Sequence, residues 1–350
     1  MSRCIQNRNF TPMKAIYLKK YGAANKAFEI REVDPPQPGP REVVIKSTCF
    51  GLNFADVVAR RGLYPDAPKN PAVIGYDVAG HIASVGSEVT EFKEGDRVAA
   101  LTRFGGYGEY AKTMVEGVAA LPASLSDQEG TALATQACTA YYSAVHLVSL
   151  QPGDKVLVQA AAGGVGSILT QIAKHMGCQV IGTASSGKLD FLKENGVDIA
   201  IDYTKDDFSK VIQDQLGKAP LDVVFDSIGG SAFKKGWKLL QPGGIMVNFG
   251  AASQISGSNK LKGLAVVAGF GLFSPLQLLM SSRSMIAVNM LRIADYKPQL
   301  FQKVFAGVME MAEQGVIKPI LSKNYKPEEI AKAHSYLESR QSIGKITVSW

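Results

Sequence analysis

The sequence predicts an α/β protein with two domains, a β-rich domain first and a doubly wound parallel-sheet domain second. Residues 13–150 alternate short apolar strands with turns, which is the pattern of a compact β-rich domain. After Pro152 and Gly153 the pattern changes to an apolar strand, a loop and an amphipathic helix, repeated along the chain. Strands separated by helices require a parallel sheet, because each right-handed crossover must return over one face.

The predicted strands of the first domain are short and separated by turn residues. A proline-rich turn, VDPPQPGP, follows the first strand and precedes a segment in which apolar and polar residues alternate. Such alternation indicates a strand with one buried face. The predicted strands are, in order, MKAIYL, EVVIKSTCF, VAGHIASVG and DRVAAL.

In the second domain each predicted strand is an apolar run, and the helix after it has a 3.6-residue apolar period. The strand and helix pairs are KVLVQAA with VGSILTQIAKHMG, QVIGTA with KLDFLKENG, IAIDY with DDFSKVIQDQLG, and LDVVFDS with AFKKGWKLLQPGG, and IMVNFGA is a further strand.

The tail departs from this order. Two helices, KPQLFQKVFAGVMEMAEQG and KPEEIAKAHSYLESR, follow one another before a terminal strand, KITVSW. This order does not continue the strand and helix alternation, so we expect the chain to return to the first domain. The predicted domains are therefore 13–150 with 291–350, and 151–290. Residues 1–12 lack an apolar core and a small-residue cleavage site and are predicted to be a disordered leader.

Composition bounds the function classes. The chain has 350 residues, of which 46% are hydrophobic and 20% charged, as expected of a folded protein with about two domains. A net charge of +7 invites a nucleic-acid interpretation. The basic excess, however, lies in residues 1–50 and 257–350, no basic run exceeds a pair, and 51–256 is acidic overall. We therefore predict no specific nucleic-acid binding.

Cysteine spacing and one uncharged segment bear on location. Cys4, Cys49, Cys138 and Cys178 lie far apart and form no CxxC pair, which favours inert thiols in a reducing, cytoplasmic setting. Residues 263–282 carry no charge and are long enough to cross a bilayer, but glycines and Pro275 interrupt them. A lid, a dimer segment or a peripheral membrane contact remain open for this segment.

A glycine-rich loop follows the first strand of the second domain. Gly163, Gly164, Val165 and Gly166 join that strand to a helix, and Leu169 stands where a third glycine would fall. Glycines let the backbone approach a pyrophosphate, and the helix N-terminus offers N–H donors to it. The loop is therefore predicted to bind a dinucleotide.

The second strand of this domain ends without the acidic residue that an NAD site places against the ribose 2′-hydroxyl. Ser185, Ser186 and Lys188 follow instead, and two hydroxyls with an ammonium suit a 2′-phosphate. NADPH is therefore the predicted cofactor, with a solvated surface lysine as the alternative interpretation of Lys188.

Together these features resemble the medium-chain dehydrogenase/reductase superfamily, and within it the zinc-free quinone oxidoreductase (zeta-crystallin-like) group. The resemblance implies a GroES-like β-rich catalytic domain and a Rossmann domain. The uncharged segment after Lys262 is similar to the branch that contains the synaptic vesicle membrane protein homologue. The motifs that carry the resemblance are NFAD, RRGLYP, GYDVAG, AAAGGVG and DSIGG.

Zinc-dependent relatives place two cysteines and a histidine at the metal. Aligned by the surrounding motifs, Asn53, Tyr76 and Thr135 stand at those three places, and none replaces a thiolate or imidazole well. The resemblance thus implies no metal.

The resemblance also implies site residues. Asn53 and Tyr64 are the candidate catalytic residues, which donate hydrogen bonds to a developing oxyanion, although each could instead fix a loop. Tyr76 and Thr135 are expected to line the substrate cleft. The implied cofactor contacts, beyond the glycine loop, Ser185 and Lys188, are Thr139, Tyr203, Ser227, Phe249, Ala251 and Lys345.

These expectations describe an NADPH-dependent, zinc-independent reductase of quinones or similar conjugated carbonyl compounds, and the resemblance implies a homodimer. An alkenal or enone double-bond reductase is the first alternative. A nucleotide-binding membrane or lipid adaptor with little turnover is the second, suggested by 263–282 and the basic flanks.

Overall fold

A computed structural model of the chain describes residues 11–252, 270–271 and 273–350. The described strands are β1 Met13–Leu18, β2 Phe28–Val33, β3 Glu42–Leu52, β4 Ala72–Val73, β5 Asp77–Val85, β6 Arg97–Leu101, β7 Tyr110–Met114, β8 Val118–Ala120, β9 Lys155–Val158, β10 Gln179–Ala184, β11 Ile199–Asp202, β12 Leu221–Asp226, β13 Leu240–Asn248, β14 Ser284–Ala287, β15 Leu321–Tyr325 and β16 Lys345–Ser349.

The described α-helices are α1 Ala24–Ala27, α2 Phe54–Arg60, α3 Asp127–Ala132, α4 Cys138–Tyr141, α5 Gly164–His175, α6 Leu189–Glu194, α7 Phe208–Leu216, α8 Gly230–Leu239, α9 Pro275–Ser281, α10 Met290–Tyr296, α11 Pro298–Glu313 and α12 Ile330–Glu338. Turns of π-helix at Leu133–Ala137 and Tyr142–Leu147 adjoin α4.

The second domain is a six-stranded parallel sheet in the order β11-β10-β9-β12-β13-β14. Chain order reverses between β9 and β12, and in such sheets ligands bind outside the carboxyl ends of the strands at this reversal. The central strand β9 is apolar on both faces, and Val156, Leu157 and Val158 have no exposed surface. The doubly wound sheet predicted from the strand and helix alternation is confirmed.

The first domain contains a seven-stranded sheet, ordered β15-β16-β3-β5-β6-β8 with β7 paired to β3, and a small sheet, β2-β1-β4. The tail strand β16 pairs antiparallel with β3, with Ile346 opposite Leu52. On this pairing we propose the division into 13–150 with 291–350, and 151–290.

The segment from Asp127 to Leu147 is a helical part of residues 13–150, which were predicted to consist mostly of strands and turns. It is helical throughout, with π-helical turns on either side of α4. Its alanines favour helix, and Ala134, Ala137 and Ala140 are fully buried. The segment contacts α5 and α11, so it lies where the two domains meet.

The predicted leader lies mostly, and the uncharged segment partly, outside the described residues. Of 1–12 the structure describes 11–12, and of 263–282 it describes 270–271 and 273–282. No helix in the described part of the chain is long and apolar enough to cross a membrane.

Candidate active site

A buried ion pair lies at the centre of the site, between Lys345 at the start of β16 and Asp77 at the start of β5. Both side chains have no exposed surface. The Asp77 carboxylate also accepts hydrogen bonds from Asn53 Nδ2, at 2.5 Å, and from the Thr135 hydroxyl. These extra donors offset part of the cost of burying the two charges.

Asn53 is held from both ends of its amide. Its Oδ1 accepts a hydrogen bond from Lys345 Nζ at 3.0 Å, and its Nδ2 faces Asp77. It is also the N-cap of α2, where its backbone N–H donates to Asp56 Oδ2 at 2.7 Å. The observed contacts of Asn53 therefore agree with a residue that fixes a loop. One of the two hydrogens on Nδ2 is not used in these hydrogen bonds.

The cofactor contact of Lys345 stays a prediction, and the observed partners of its ammonium are Asp77 and Asn53. Its ammonium lies in the Asp77 and Asn53 cluster, and the residue as a whole is 1% exposed. The neighbouring Gly344 contacts the glycine loop instead, since its N–H donates to the Ala162 carbonyl at 2.9 Å. The tail thus fixes both the buried ion pair and the loop.

Of the three residues aligned to metal positions, Asn53 and Thr135 both donate hydrogen bonds to Asp77, and Tyr76 precedes Asp77 in the chain. The donors are an amide, a phenol and a hydroxyl, which are poor zinc ligands. Within the described residues, no group of three His, Cys, Asp or Glu side chains is arranged to hold a metal ion.

Aromatic rings form one wall beside this cluster. The Tyr64 and Tyr76 rings meet edge to face at 6.3 Å, and Tyr76 contacts Phe104 at 5.1 Å. Burial raises the pKa of the Tyr76 phenol, and burial followed by the nearby Asp66 raises the pKa of Tyr64. Both phenols therefore keep their protons at neutral pH and can donate hydrogen bonds.

The glycine loop has the close packing expected of a dinucleotide loop. A Cβ on Gly166 would lie 2.4 Å from the Ala160 carbonyl oxygen, so only glycine fits there. Ala160 itself has φ 53°, which the sharp turn requires. Gly163 is the N-cap of α5 without a side-chain cap, so the first-turn amides of α5 face the loop. Leu169, at the position of the third glycine, is fully buried in the core.

The expected adenosine end lies at the carboxyl ends of β10 and β11. Lys188 Nζ donates to the carbonyl oxygens of Arg340 and Ser342, at 2.8 and 2.7 Å, and burial lowers its pKa. Tyr203, after β11, is 48% exposed, and its N–H donates to the Ala184 carbonyl at the end of β10 at 3.1 Å. Lys188 is thus half-buried and hydrogen-bonded to two backbone carbonyls, and it is not a solvated surface lysine.

A carboxylate that the sequence analysis missed lies beside this loop. Asp202, at the end of β11, accepts hydrogen bonds from the Ser186 hydroxyl at 2.5 Å and the Thr204 hydroxyl at 2.6 Å. The Ser186 hydrogen bond is the main cause that lowers the pKa of Asp202. Its oxygens are satisfied by protein donors, so it fixes the loop that carries Ser185 and Lys188.

The remaining predicted cofactor residues lie at the carboxyl ends of β12 and β13 or on the interdomain helical segment. Ser227 accepts from the Ala252 N–H at 3.1 Å, and the Phe249 N–H donates to Asp226 at 3.0 Å, which brings Ser227, Phe249 and Ala251 to one edge. Thr139 is 8% exposed and donates to the Thr135 carbonyl at 2.7 Å.

Two buried groups near the site have no counterpart in the sequence analysis. Asp56 is fully buried, and burial raises its pKa to about 7. Its signal in the sequence is the N-x-x-D spacing from Asn53, which is that of a helix cap. Gln136 lies against Gly164 and has its Nε2 3.4 Å from Asn53 Oδ1. A single glutamine in an alanine-rich segment gives no such signal.

Two family models match the chain. The model described as "Alcohol dehydrogenase GroES-like domain" matches residues 39–145, and "Zinc-binding dehydrogenase" matches 164–306. The rat "Synaptic vesicle membrane protein VAT-1 homolog" is 33% identical over 96% of this chain and 83% of its own length. The "2-haloacrylate reductase" of a Burkholderia species is 32% identical over 96% of this chain and 98% of its own.

A solved structure with the same fold is the Escherichia coli quinone oxidoreductase complexed with NADPH. It superposes with a TM-score of 0.83 at 28% identity, covering 96% of this chain and 100% of that one. The likeness extends over both domains and supports the predicted architecture.

Proposed function

Since the chain belongs to the medium-chain dehydrogenase/reductase superfamily, we propose that it is a zinc-independent, NADPH-dependent reductase of quinones or similar conjugated carbonyl compounds. The observation that carries the proposal is the hydrogen-bonded cluster around Asp77, in which the charges of Asp77 and Lys345 cancel. By the alignment given above, its donors Asn53 and Thr135 stand at positions where zinc-dependent relatives hold the metal that polarises an alcohol. An acceptor that is already electrophilic does not need that polarisation.

NADPH fits the residues present. Gly166 allows the loop to pack tightly on the Ala160 carbonyl, where no Cβ fits, and the first turn of α5 offers amides to a pyrophosphate. Ser185, Lys188 and Tyr203 would hold the 2′-phosphate, and Lys188 has one N–H beyond its two carbonyl partners. When bound, the cofactor supplies a hydride from its nicotinamide ring. Thr139, Ser227, Phe249 and Ala251 are proposed to line that end.

On the acceptor side, the chain's own groups stabilise negative charge on a carbonyl oxygen. Tyr64 and Tyr76 remain protonated because burial raises their pKa values. Their hydroxyls, with the remaining Asn53 amide hydrogen, are the proposed donors to a developing oxyanion. Conjugation in a quinone or an enone spreads the same charge, which makes modest donors sufficient.

The position that receives the hydride separates the two enzyme hypotheses. Reduction of a quinone gives a hydroquinone, or a semiquinone if one electron is passed, whereas an enone reductase saturates a carbon–carbon double bond. The relative named as a 2-haloacrylate reductase supports the enone reductase as the alternative hypothesis. Product analysis by mass spectrometry distinguishes them.

The test is oxidation of NADPH and NADH by the purified protein across quinones and enones. We expect turnover with NADPH in preference to NADH, and a decrease in kcat of about tenfold or more for Tyr64→Phe. An exposed tyrosine, Tyr296, provides the matched control as Tyr296→Phe. Tight NADPH binding without turnover on any acceptor would overturn the reductase and favour the adaptor.

The homodimer remains part of the proposal. Strand β14 is the edge of the six-stranded sheet and pairs with β13 on one side. The adjacent α9 exposes Leu276, Leu279 and Met280. Light scattering after gel filtration tests the dimer, and co-sedimentation with liposomes tests a membrane contact by the same region.

A further inference from the structure

We propose that Gln136 binds the nicotinamide half of the dinucleotide, its Oε1 accepting a hydrogen bond from a ribose hydroxyl or from the carboxamide N–H. The inference rests on the proposed cofactor and adds a residue to that site. Gln136 lies in the π-helical turn Leu133–Ala137, where the two domains meet.

The Gln136 amide packs directly on the glycine loop. A Cβ built on Gly164 would lie 2.0 Å from Gln136 Oε1 and 2.4 Å from its Nε2, so the glycine is required to make room for this side chain. Gly164 is the first residue of α5, a helix of 12 residues. The side-chain oxygen of Gln136, Oε1, therefore lies at the N-terminus of α5, the helix end that faces a dinucleotide.

The orientation of the Gln136 amide is fixed by its neighbours. Asn53 must turn its Oδ1 toward the Lys345 ammonium, because its Nδ2 donates to Asp77. Gln136 Nε2 lies 3.4 Å from that same Oδ1, and the reversed amide would set two oxygens against each other. The buried ion pair thus directs Gln136 Oε1 away from Asn53.

The Oε1 atom is buried and has no hydrogen-bond partner among the described residues. The whole residue is 8% exposed. Buried carbonyl oxygens are nearly always satisfied by protein, water or ligand. An acceptor left open beside a ligand loop is therefore a position for a ligand donor.

The chemistry of the dinucleotide selects its nicotinamide half. A pyrophosphate has only acceptors and cannot satisfy Oε1. The adenosine end is assigned to Lys188 and Tyr203, at the ends of β10 and β11. Gln136 instead lies one helical turn before Thr139 and contacts Asn53 of the proposed cleft. The donors available on that side are the ribose hydroxyls and the carboxamide N–H.

The test measures equilibrium binding by calorimetry. For Gln136→Leu we expect the Kd of NADP⁺ to rise about tenfold, the loss of one hydrogen bond, and the Kd of 2′,5′-ADP to stay unchanged, because this fragment lacks the nicotinamide half. Gln136→Met, which keeps the unbranched shape, is the second variant if the first folds poorly. Gln128→Leu, about two turns earlier on the same helical segment, is the matched control.

The 3-acetylpyridine analogue of NADP⁺ separates the two donor sources, since it lacks the carboxamide N–H. If the carboxamide is the donor, Gln136→Leu causes no further loss with the analogue. If a ribose hydroxyl is the donor, the variant loses the same factor with both dinucleotides. Either result supports the contact.

An unchanged Kd for NADP⁺, or equal losses for NADP⁺ and 2′,5′-ADP, would overturn the role of Gln136 while leaving the proposed cofactor in place. Failure of the wild-type protein to bind either ligand would overturn the proposed function and this inference with it.

Discussion

Lys345 and Asp77 form their buried ion pair across strand β3, which lies between the strands that carry them. The intervening residue is Gly51, which pairs with Asp77 on one side and with Thr347 on the other. The lysine side chain passes directly over Gly51, since a Cβ there would lie 2.1 Å from Lys345 Cε. The tail of the chain thus reaches the proposed cleft through a gap that only glycine leaves.

Removing one partner of this pair is expected to be costly. Lys345→Met leaves the Asp77 carboxylate buried without its counter-ion, and we expect the free energy of unfolding to fall by about 3–5 kcal/mol. The additional change Asp77→Asn removes the uncompensated charge and should restore part of the loss. Urea denaturation measures both.

The exposed pair Lys174 and Asp198 supplies the control for that experiment. Lys174→Met should change the stability by less than about 1 kcal/mol, because water already screens the pair. Equal losses at the two sites would show that the buried pair contributes no more than a surface one.

Gly51→Ala is expected to disrupt the same pair without changing any charge. The added methyl group meets Lys345 Cε and Thr131 Oγ1, at 2.1 and 2.9 Å, and the lysine is held by Asp77 and Asn53, so it has no free space to move into. We expect a loss of about 2–3 kcal/mol by overpacking.

The matched control for this substitution is Gly187→Ala, where a Cβ meets no atom within 4 Å. The thermal midpoint of each variant is measured. A midpoint of Gly51→Ala that equals that of Gly187→Ala would contradict the described path of the lysine.

Local sequence pattern predicts the second domain better than it predicts the interdomain helices. The doubly wound parallel sheet was predictable, because each of the strands β9 to β12 is an apolar run followed by an amphipathic helix. The helical segment Asp127–Leu147 was not, because its alanines and threonines carry no clear apolar period once π-helical turns interrupt it. Of the three residues aligned to metal positions, Asn53 and Thr135 share Asp77 as a hydrogen-bond partner.

Contacts between residues far apart in the chain were harder to predict. Lys345 is separated from Asp77 by most of the chain, and nothing near either residue indicates the pairing. Asp202 lies beside Ser186 through the pairing of β10 with β11, so the absence of an acidic residue at the end of β10 did not exclude a carboxylate there. Such contacts arise from tertiary packing.

The contribution of Asp56 to the stability of the protein should fall as pH rises through the acid range. Burial raises the pKa of this carboxyl to about 7, above its ordinary value of 3.8. Between these values the folded chain keeps a proton that the unfolded chain releases, so folding becomes less favourable as pH rises to about 7 and constant above it. Asp56→Asn cannot ionise and should show a smaller decrease.

Urea midpoints of the wild type and Asp56→Asn at pH 5, 6, 7 and 8 check this expectation. The conservative amide keeps an acceptor for the Asn53 N–H, which donates to Asp56 Oδ2 at 2.7 Å. Parallel pH profiles for the two proteins would show that Asp56 does not titrate as the burial of its carboxyl implies.

Lys188 should distinguish NADPH from NADH. Lys188→Ala removes the ammonium proposed to bind the 2′-phosphate, so the Kd of NADPH should rise about tenfold or more. A smaller loss is expected with NADH, because the same ammonium also holds the carbonyl oxygens of Arg340 and Ser342 in the tail. Lys193→Ala, an exposed lysine on α6, is the control. Equal losses for the two cofactors would show that Lys188 does not bind the 2′-phosphate. Its role would then be to connect the tail to the second domain through its hydrogen bonds to Arg340 and Ser342.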